Sequence, residues 1–344
     1  MNVTERHKGV VALTALGVGV MLLARAWRTR RAYDFAGRVV VITGGSRGLG
    51  LIMARELAKE GAKLVLVARH EDELERAADD LRSRQPSAEV MTIAADVRRR
   101  HDAEQSVAQA IERFGRVDVL VNNAGIIQVG PLDHMKLSDY EDAMNTHFWG
   151  PLYMVLASVP HMRRRGEGRI VNISSIGGKI SVPHLVPYCA SKFALTGLSD
   201  GLRAELIREG IVVTTVCPGL MRTGSAVNAM FKGKRPQEYA WFAISDSLPL
   251  ASIDADRAAR QIIAASRRGD AELIITLQAK LAVLAHDLAP ELFADAMALM
   301  NRILPAPTTP DGDQARPGRE SESRWAPSPL TAPTYEAAHD NNEL

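Results

Sequence analysis

The sequence predicts an α/β fold, a doubly wound parallel sheet covered on both faces by helices, in one domain from about residue 36 to 304. Three observations lead there. Short β-branched apolar runs take turns with longer stretches of helical period. The first apolar run ends in a glycine cluster that opens a helical stretch. No fixed-period repeat and no linker breaks the alternation.

Taken in order, Arg38 to Ile42 predicts a strand and Leu49 to Glu60 a helix, then Lys63 to Val67 and Glu71 to Arg84, then Val90 to Ala94 and Ala103 to Phe114. Val117 to Val121 continues the beat, followed by one long helical stretch from Ser138 to Arg165. Arg169 to Ile173, Pro187 to Glu209, Ile211 to Val216 and a last strand at Glu272 to Thr276 complete it.

The two ends differ from this body. The 344 residues carry 42 Lys+Arg against 40 Asp+Glu, so no basic excess points to a nucleic-acid partner, and with 46% apolar residues the chain is neither disordered nor fibrous. Residues 1–33 hold six cations against Glu5, a net of +5, and residues 305–344 hold seven acids against three arginines, a net of −4. Gly9 to Ala24 is 16 uncharged residues, about 24 Å as a helix, and Arg25, Trp27 and Arg28 extend it at the membrane interface. Residues 1–35 are therefore expected to be a membrane anchor and basic linker, with positive charge after the apolar run holding the body in the cytoplasm; a cleaved signal and a docked helix are the alternatives. Residues 305–344, with seven prolines and few aliphatics, are expected to be a disordered acidic tail. Two cysteines, Cys189 and Cys217, exclude a disulfide framework, and no metal site is expected.

Thr43-Gly44-Gly45-Ser46-Arg47-Gly48-Leu49-Gly50 puts glycines in a turn and backbone N–H groups at the positive end of a helix, where a pyrophosphate fits. The spacing is Gly-x-x-x-Gly-x-Gly, without the Lys-Ser/Thr ending of a nucleoside triphosphate loop. The second strand ends in Val67-Ala68-Arg69-His70, with no acid to take a ribose 2′-hydroxyl. Arg69 and Arg47 suit a 2′-phosphate instead, so NADP(H) is expected over NAD(H).

Tyr188-Cys189-Ala190-Ser191-Lys192 places a phenol and an ammonium four residues apart on one helix face. At about 4 Å and an effective dielectric of about 20, the ammonium would stabilise the phenolate by up to about 4 kcal/mol, bringing the tyrosine into range as an acid/base. Ser174-Ser175 and Asn122-Asn123-Ala124-Gly125 each end a predicted strand, where a parallel sheet collects its ligands.

Together, the glycine loop, Asp96-Val97, the Asn-Asn-Ala-Gly turn, Ser175, Tyr188, Lys192 and Pro218-Gly219 closely resemble the short-chain dehydrogenase/reductase family in type, order and spacing over roughly residues 37–225. The resemblance implies a Rossmann-like fold and a nicotinamide cofactor, with Tyr188 as acid/base and Lys192 tuning it and holding the nicotinamide ribose. It further implies that Ser175 holds the substrate oxygen. Gly44, Ser46, Arg47, Gly48, Leu49 and Gly50 would cradle the phosphates, Asp96 and Val97 flank the adenine, and Asn123, Ala124 and Gly125 line the channel. Pro218, Gly219 and Thr223 would meet the nicotinamide end.

One position departs from the family pattern: His147 stands three residues before Gly150, where an asparagine is usual. His147 serves a proton relay, or water and another group carry it, or the ring only packs; Asn145 lies about 200° round a helix and cannot simply substitute. After Thr223, in a lid at about 221–250, Phe231, Tyr239, Trp241 and Phe242 suggest a hydrophobic, lipid-like or steroid-like alcohol or ketone, with lid packing or an oligomer contact as the alternative. The resemblance also implies a homodimer or homotetramer through the helices at 138–165 and 187–209. The rival readings are a non-catalytic NADP-binding sensor or scaffold and an epimerase or dehydratase.

Overall fold

A strand that helices cover on both faces must be apolar throughout, and Val39–Thr43 (β1) is buried at all five residues. The computed structural model describes residues 33–247, 252–323, 325–329 and 331–344. From β1 the chain runs through Gly48–Lys59 (α1), Lys63–Ala68 (β2), Glu71–Arg84 (α2), Val90–Ala94 (β3), Arg100–Phe114 (α3) and Val119–Asn122 (β4). It continues with Leu137–Met144 (α4), Gly150–Arg165 (α5), Gly168–Ile173 (β5), Val186–Leu206 (α6) and Ile211–Pro218 (β6). The seven-stranded sheet is closed at its edge by Glu272–Ile275 (β7) in the order β7-β6-β5-β4-β1-β2-β3, every pair parallel. The order reverses beside β1, which opens a crevice at the carboxyl ends of β1 and β4.

The core is two apolar layers, one on each sheet face. Leu51, Ile52, Leu57 and Leu74 from α1 and α2 join Ile262 and Ile263 of Ala255–Arg268 (α9) on one side. Val107, Met154, Val155 and Met162 from α3 and α5 fill the other. At the opposite end of the sheet from the crevice, the fully buried Asp118 accepts from Val39 N at 2.9 Å and from Arg116 Nε at 2.9 Å and pairs with Arg165, tying the starts of β1 and β4 together.

Four features depart from or add to the sequence expectation. The helical stretch from Ser138 to Arg165 is interrupted: Asn145–Trp149 forms a π-turn between α4 and α5, with Gly150 N donating to Asn145 O. Between β6 and β7 the chain adds Ser225–Asn228 (α7) and Arg235–Ser247 (α8) over the crevice, and after β7 comes a hairpin of Leu277–Leu288 (α10) and Pro290–Ile303 (α11). That hairpin leaves Leu281, Leu284, Leu288, Leu292, Leu299 and Ile303 exposed.

The fourth is a correction. Residues 305–344, expected to be disordered, lie on the domain wherever they are described: Arg316–Pro317 pairs antiparallel with Met230–Phe231, and Ala332–Asp340 (α12) packs on α7 and α8. Polar contacts hold it where aliphatics are few. Thr334 and Ser247 share hydroxyls at 2.6 Å, as do Tyr335 and Tyr239 at 2.6 Å. Of the expected anchor and linker, residues 1–35, the first 32 lie outside the described residues and Tyr33 and Phe35 are buried in the core; among the described residues no helix is long and apolar enough to cross a membrane.

Candidate active site

The crevice is a cavity of about 940 Å³ that runs from Arg47, Arg69 and His70 past the glycine loop and Asn123–Ile127 to Ser175, Tyr188 and Lys192. Glycine is required at its floor. Gly44 (φ +63°) and Gly48 (φ +53°) adopt left-handed backbone, and a Cβ on Gly50 would sit 2.1 Å from Gly44 O. Asn123 closes the loop from the other side, its Nδ2 donating to Thr43 O (3.2 Å) and Gly44 O (3.1 Å). A phosphate-bearing ligand fits this cradle, because bare backbone stands where side chains would fill it and α1 begins there.

At the far end, Arg69 is exposed on the rim just beyond the tip of β2, while Arg47 is held by Glu73 at 3.1 Å, which also takes Ser46 Oγ at 2.9 Å. Arg69 is thus the more available of the two predicted arginines. Burial would raise the Asp96 carboxyl, but hydrogen bonds from Arg98, with a contribution from Arg69, hold it below its ordinary range. Asp96, Val97, Ala124, Gly125, Leu49, Pro218 and Gly219 line the cavity as the sequence placed them. Thr223 is buried, and its hydroxyl is shared with Ser225, which lines the wall.

At the near end, β5 carries two serines with different duties. Ser174 Oγ is committed to α6 through Lys192 O (3.1 Å) and Thr196 Oγ1 (2.8 Å). Ser175 caps a short turn, accepting Gly177 N at 3.0 Å, and hydrogen-bonds toward the Tyr188 hydroxyl. Tyr188 lies in the first turn of α6, where Pro187 helps start the helix, and its ring backs on Gly177.

The electrostatics differ from the sequence expectation. Lys192 does not stabilise a phenolate here: its Nζ donates to Ile173 O at 2.9 Å and lies 5.7 Å from the centre of the Tyr188 ring. Burial pushes the Tyr188 hydroxyl well above its ordinary value despite Ser175, and pushes the Lys192 ammonium down to about 7. Tyr188 is therefore held as the neutral phenol, a proton donor.

His147 is buried with both ring nitrogens engaged. Ile126 N donates to Nε2 at 3.1 Å, so Nδ1 carries the proton and donates to Ser191 Oγ at 2.7 Å, which in turn donates to Tyr188 O at 2.8 Å. Burial and Lys192 together keep the ring neutral. It stands edge-on to Tyr188 with ring centres 5.5 Å apart. Through these bonds His147 ties the loop after β4 to the turn that bears Tyr188. Asn145 instead serves the π-turn through its carbonyl.

The aromatic group divides. Trp241 and Phe242 line the cavity, whereas Phe231 and Tyr239 are fully buried behind it. Sequence reasoning missed Asp246, which lines the same wall, is 4% exposed and has no hydrogen bond among the described residues. Its signal was in the spacing, since Tyr239, Phe242, Ala243 and Asp246 fall at i, i+3, i+4 and i+7 on the buried face of α8. Burial raises this carboxyl to about 8. A raised value means the folded chain keeps a proton that the unfolded chain gives up near pH 4, so stability is lost as pH rises toward 8. Urea unfolding at pH 5 and pH 8 is expected to show a smaller loss in Asp246→Asn than in the parent; equal losses would refute the assignment.

Against known proteins, the model for short chain dehydrogenases matches residues 38–232. The chain is 42% identical over 190 residues to an 11-beta-hydroxysteroid dehydrogenase-like protein of Arabidopsis thaliana, a match spanning 55% of this chain and 62% of that relative's length. It is 33% identical over 291 residues to dehydrogenase/reductase SDR family member 7B of Bos taurus, covering 83% and 88% of the two chains. Among solved structures, a short-chain dehydrogenase from Streptomyces avermitilis superposes with a TM-score of 0.65 at 29% identity, over 78% of this chain and 99% of that one. L-sorbose reductase from Gluconobacter frateurii, complexed with NADPH and L-sorbose, does so at 0.63 and 27%, over 71% and 97%. With more than half of its length matched by the family model and its sheet order and cleft arranged as described, the chain belongs to the short-chain dehydrogenase/reductase family.

Proposed function

We propose that this protein is an NADP(H)-dependent oxidoreductase that interconverts a hydroxyl and a carbonyl on a small hydrophobic, lipid-like or steroid-like molecule. The observation that carries the reading is the convergence of Ser175, Tyr188 and Lys192 at one end of a cleft whose other end is a bare-backbone phosphate cradle. When bound, the nicotinamide group supplies or takes the hydride. The chain's own residues handle the oxygen and its proton. Ser175 Oγ orients the substrate oxygen, and the neutral Tyr188 hydroxyl donates a proton to it during reduction; in oxidation it is the phenolate form of Tyr188 that takes the proton from the alcohol. Lys192, buried beside them, supplies the ribose contact and positive charge. Arg69, exposed on the rim, supports the 2′-phosphate, as does the NADPH in the L-sorbose reductase complex.

The apolar wall of Trp241, Phe242, Phe293, Met297 and Met300 supports a hydrophobic substrate, and the plant relatives bear hydroxysteroid dehydrogenase-like names. Asp246 in that wall would meet a second polar group on it. We also propose a membrane-associated chain held through residues 9–24 with the catalytic domain facing the cytoplasm, and a homodimer or homotetramer joined through α5 and α6. Trp149, Leu156 and Phe193 are exposed along those helices and the turn before them, which supports such a contact.

With NADPH and a panel of hydrophobic ketones, Tyr188→Phe is expected to lower turnover by about 10²- to 10⁴-fold with cofactor affinity retained, whereas Arg69→Ala lowers the NADPH over NADH preference. Cofactor binding with no turnover of any carbonyl would favour the sensor reading. Protease treatment of sealed vesicles is expected to spare the domain inside; digestion from outside would reverse the orientation. Light scattering in detergent should give two or four chains, and a monomer would remove the proposed contact.

A further inference from the structure

The segment that follows α12 ends inside the phosphate cradle. Gly48 N, an amide at the start of α1, donates to Asn341 O at 2.9 Å. The Glu343 carboxylate accepts Gly224 N at 2.7 Å, and its Oε1 is 3.0 Å from where a Cβ on Gly48 would stand. Asn342 Nδ2 donates to Ser46 O (2.9 Å) and Glu73 O (3.0 Å), and Asn228 Nδ2 donates to Glu343 O (2.9 Å). Arg55 clamps the segment from outside through Asp340 O (2.8 Å) and Asn341 Oδ1 (2.6 Å), and Arg76 Nε holds Asn342 Oδ1 at 2.8 Å. These bonds draw on groups from the loop, α1, α2, α7 and the turn before α7, so the seat is specific to this stretch.

We propose that residues 340–343 are a second ligand of the phosphate cradle, a peptide latch whose Glu343 carboxylate takes the place of the cofactor's pyrophosphate and must leave before the dinucleotide can bind. The argument is one of shared partners. A pyrophosphate seeks the amides at the N-terminus of a helix, the Glu343 carboxylate stands in that space against Gly48, and the Gly48 amide cannot serve Asn341 and a phosphate together. The latch is built to exchange. Glu343 is 7% exposed and meets no cation within ion-pair distance among the described residues, so its burial is costly, whereas α12 stays tethered to α8 through the Tyr335–Tyr239 and Thr334–Ser247 pairs when the tip is released. Cofactor affinity is then reduced by the fraction of molecules that are latched.

This inference rests on the cofactor reading above, and one titration separates the two. NADPH and NADH are titrated by fluorescence into the dialysed full-length protein, into Glu343→Ala, and into a chain stopped after His339. Hydrogen exchange of residues 332–344 is followed in the full chain with and without NADPH. Release of the latch is expected to tighten NADPH binding by at least about fivefold in both variants, and NADPH is expected to speed exchange at 340–344. If a folded variant binds NADPH no more tightly than the full chain and exchange is unchanged, the latch is overturned and the cofactor reading stands. If the folded truncated chain binds neither dinucleotide, both are overturned. Should the truncated chain fail to fold, Glu343→Ala and the exchange experiment decide the matter in the same way.

Discussion

A single buried ammonium organises the reactive end of this protein. Lys192 is 4% exposed and donates to Ile173 O, the last carbonyl of β5, which pins α6 to the carboxyl end of the sheet. One turn earlier on α6 stands Tyr188, and two residues beyond Ile173 stands Ser175, so the same contact sets the spacing of all three side chains. The positive charge is costly in this position, and burial lowers its pKa to about 7. An anion beside it would relieve that cost and close the site. The lysine is instead satisfied by a neutral carbonyl.

Around that contact, neutral hydrogen bonds hold the geometry. Ser174 binds α6 to β5, His147 joins the loop after β4 to Ser191 on α6, and Asn122, Asn172 and Ser199 link β4, β5 and α6 in a buried chain with bonds of 2.8 and 3.0 Å. Such a network aligns side chains without adding charges that would shift the tyrosine. The π-turn at Asn145–Trp149 carries His147, whose buried ring stands edge-on to Tyr188. With Nδ1 protonated, His147 offers one donor and one acceptor, which meet Ser191 Oγ and Ile126 N.

The cradle at the other end depends on the absence of side chains. Gly44, Gly48 and Gly50 allow the loop, the Asn123 turn and the start of α1 to meet backbone to backbone, which leaves the Gly48 amide to donate to an acceptor from outside the loop. The net charge of only +2 therefore conceals a division of labour. The acidic stretch that balances the basic start of the chain is the one whose Asn341 carbonyl takes the Gly48 amide and whose Glu343 carboxylate, held by Gly224 N, lies beside it.

Much of the fold was legible because its signals are local. β3 and α2 were read to the residue, and the other sheet strands to within two residues at either end, since β-branched runs and helical period need no distant partner. The glycine loop, Ser175, Tyr188 and Lys192 were legible because strand ends in a parallel sheet converge, so order along the chain implies proximity. What required tertiary structure was every outcome set by burial or by a distant segment. A tyrosine and a lysine four residues apart suggest a lowered phenol pKa, but only packing shows that desolvation outweighs the ammonium and that Ile173 O takes the lysine. Proline content and few aliphatics suggest a free tail, but Gly48 N, Gly224 N, Ser247 and Tyr239, all far off in sequence, supply partners that composition cannot register. The sequence by itself determined the sheet and the order in which the glycine loop, Ser175, Tyr188 and Lys192 meet at its carboxyl end; the tertiary structure decided their burial, the partners of His147 and the seat of Glu343, because those depend on what surrounds a group rather than on what it is.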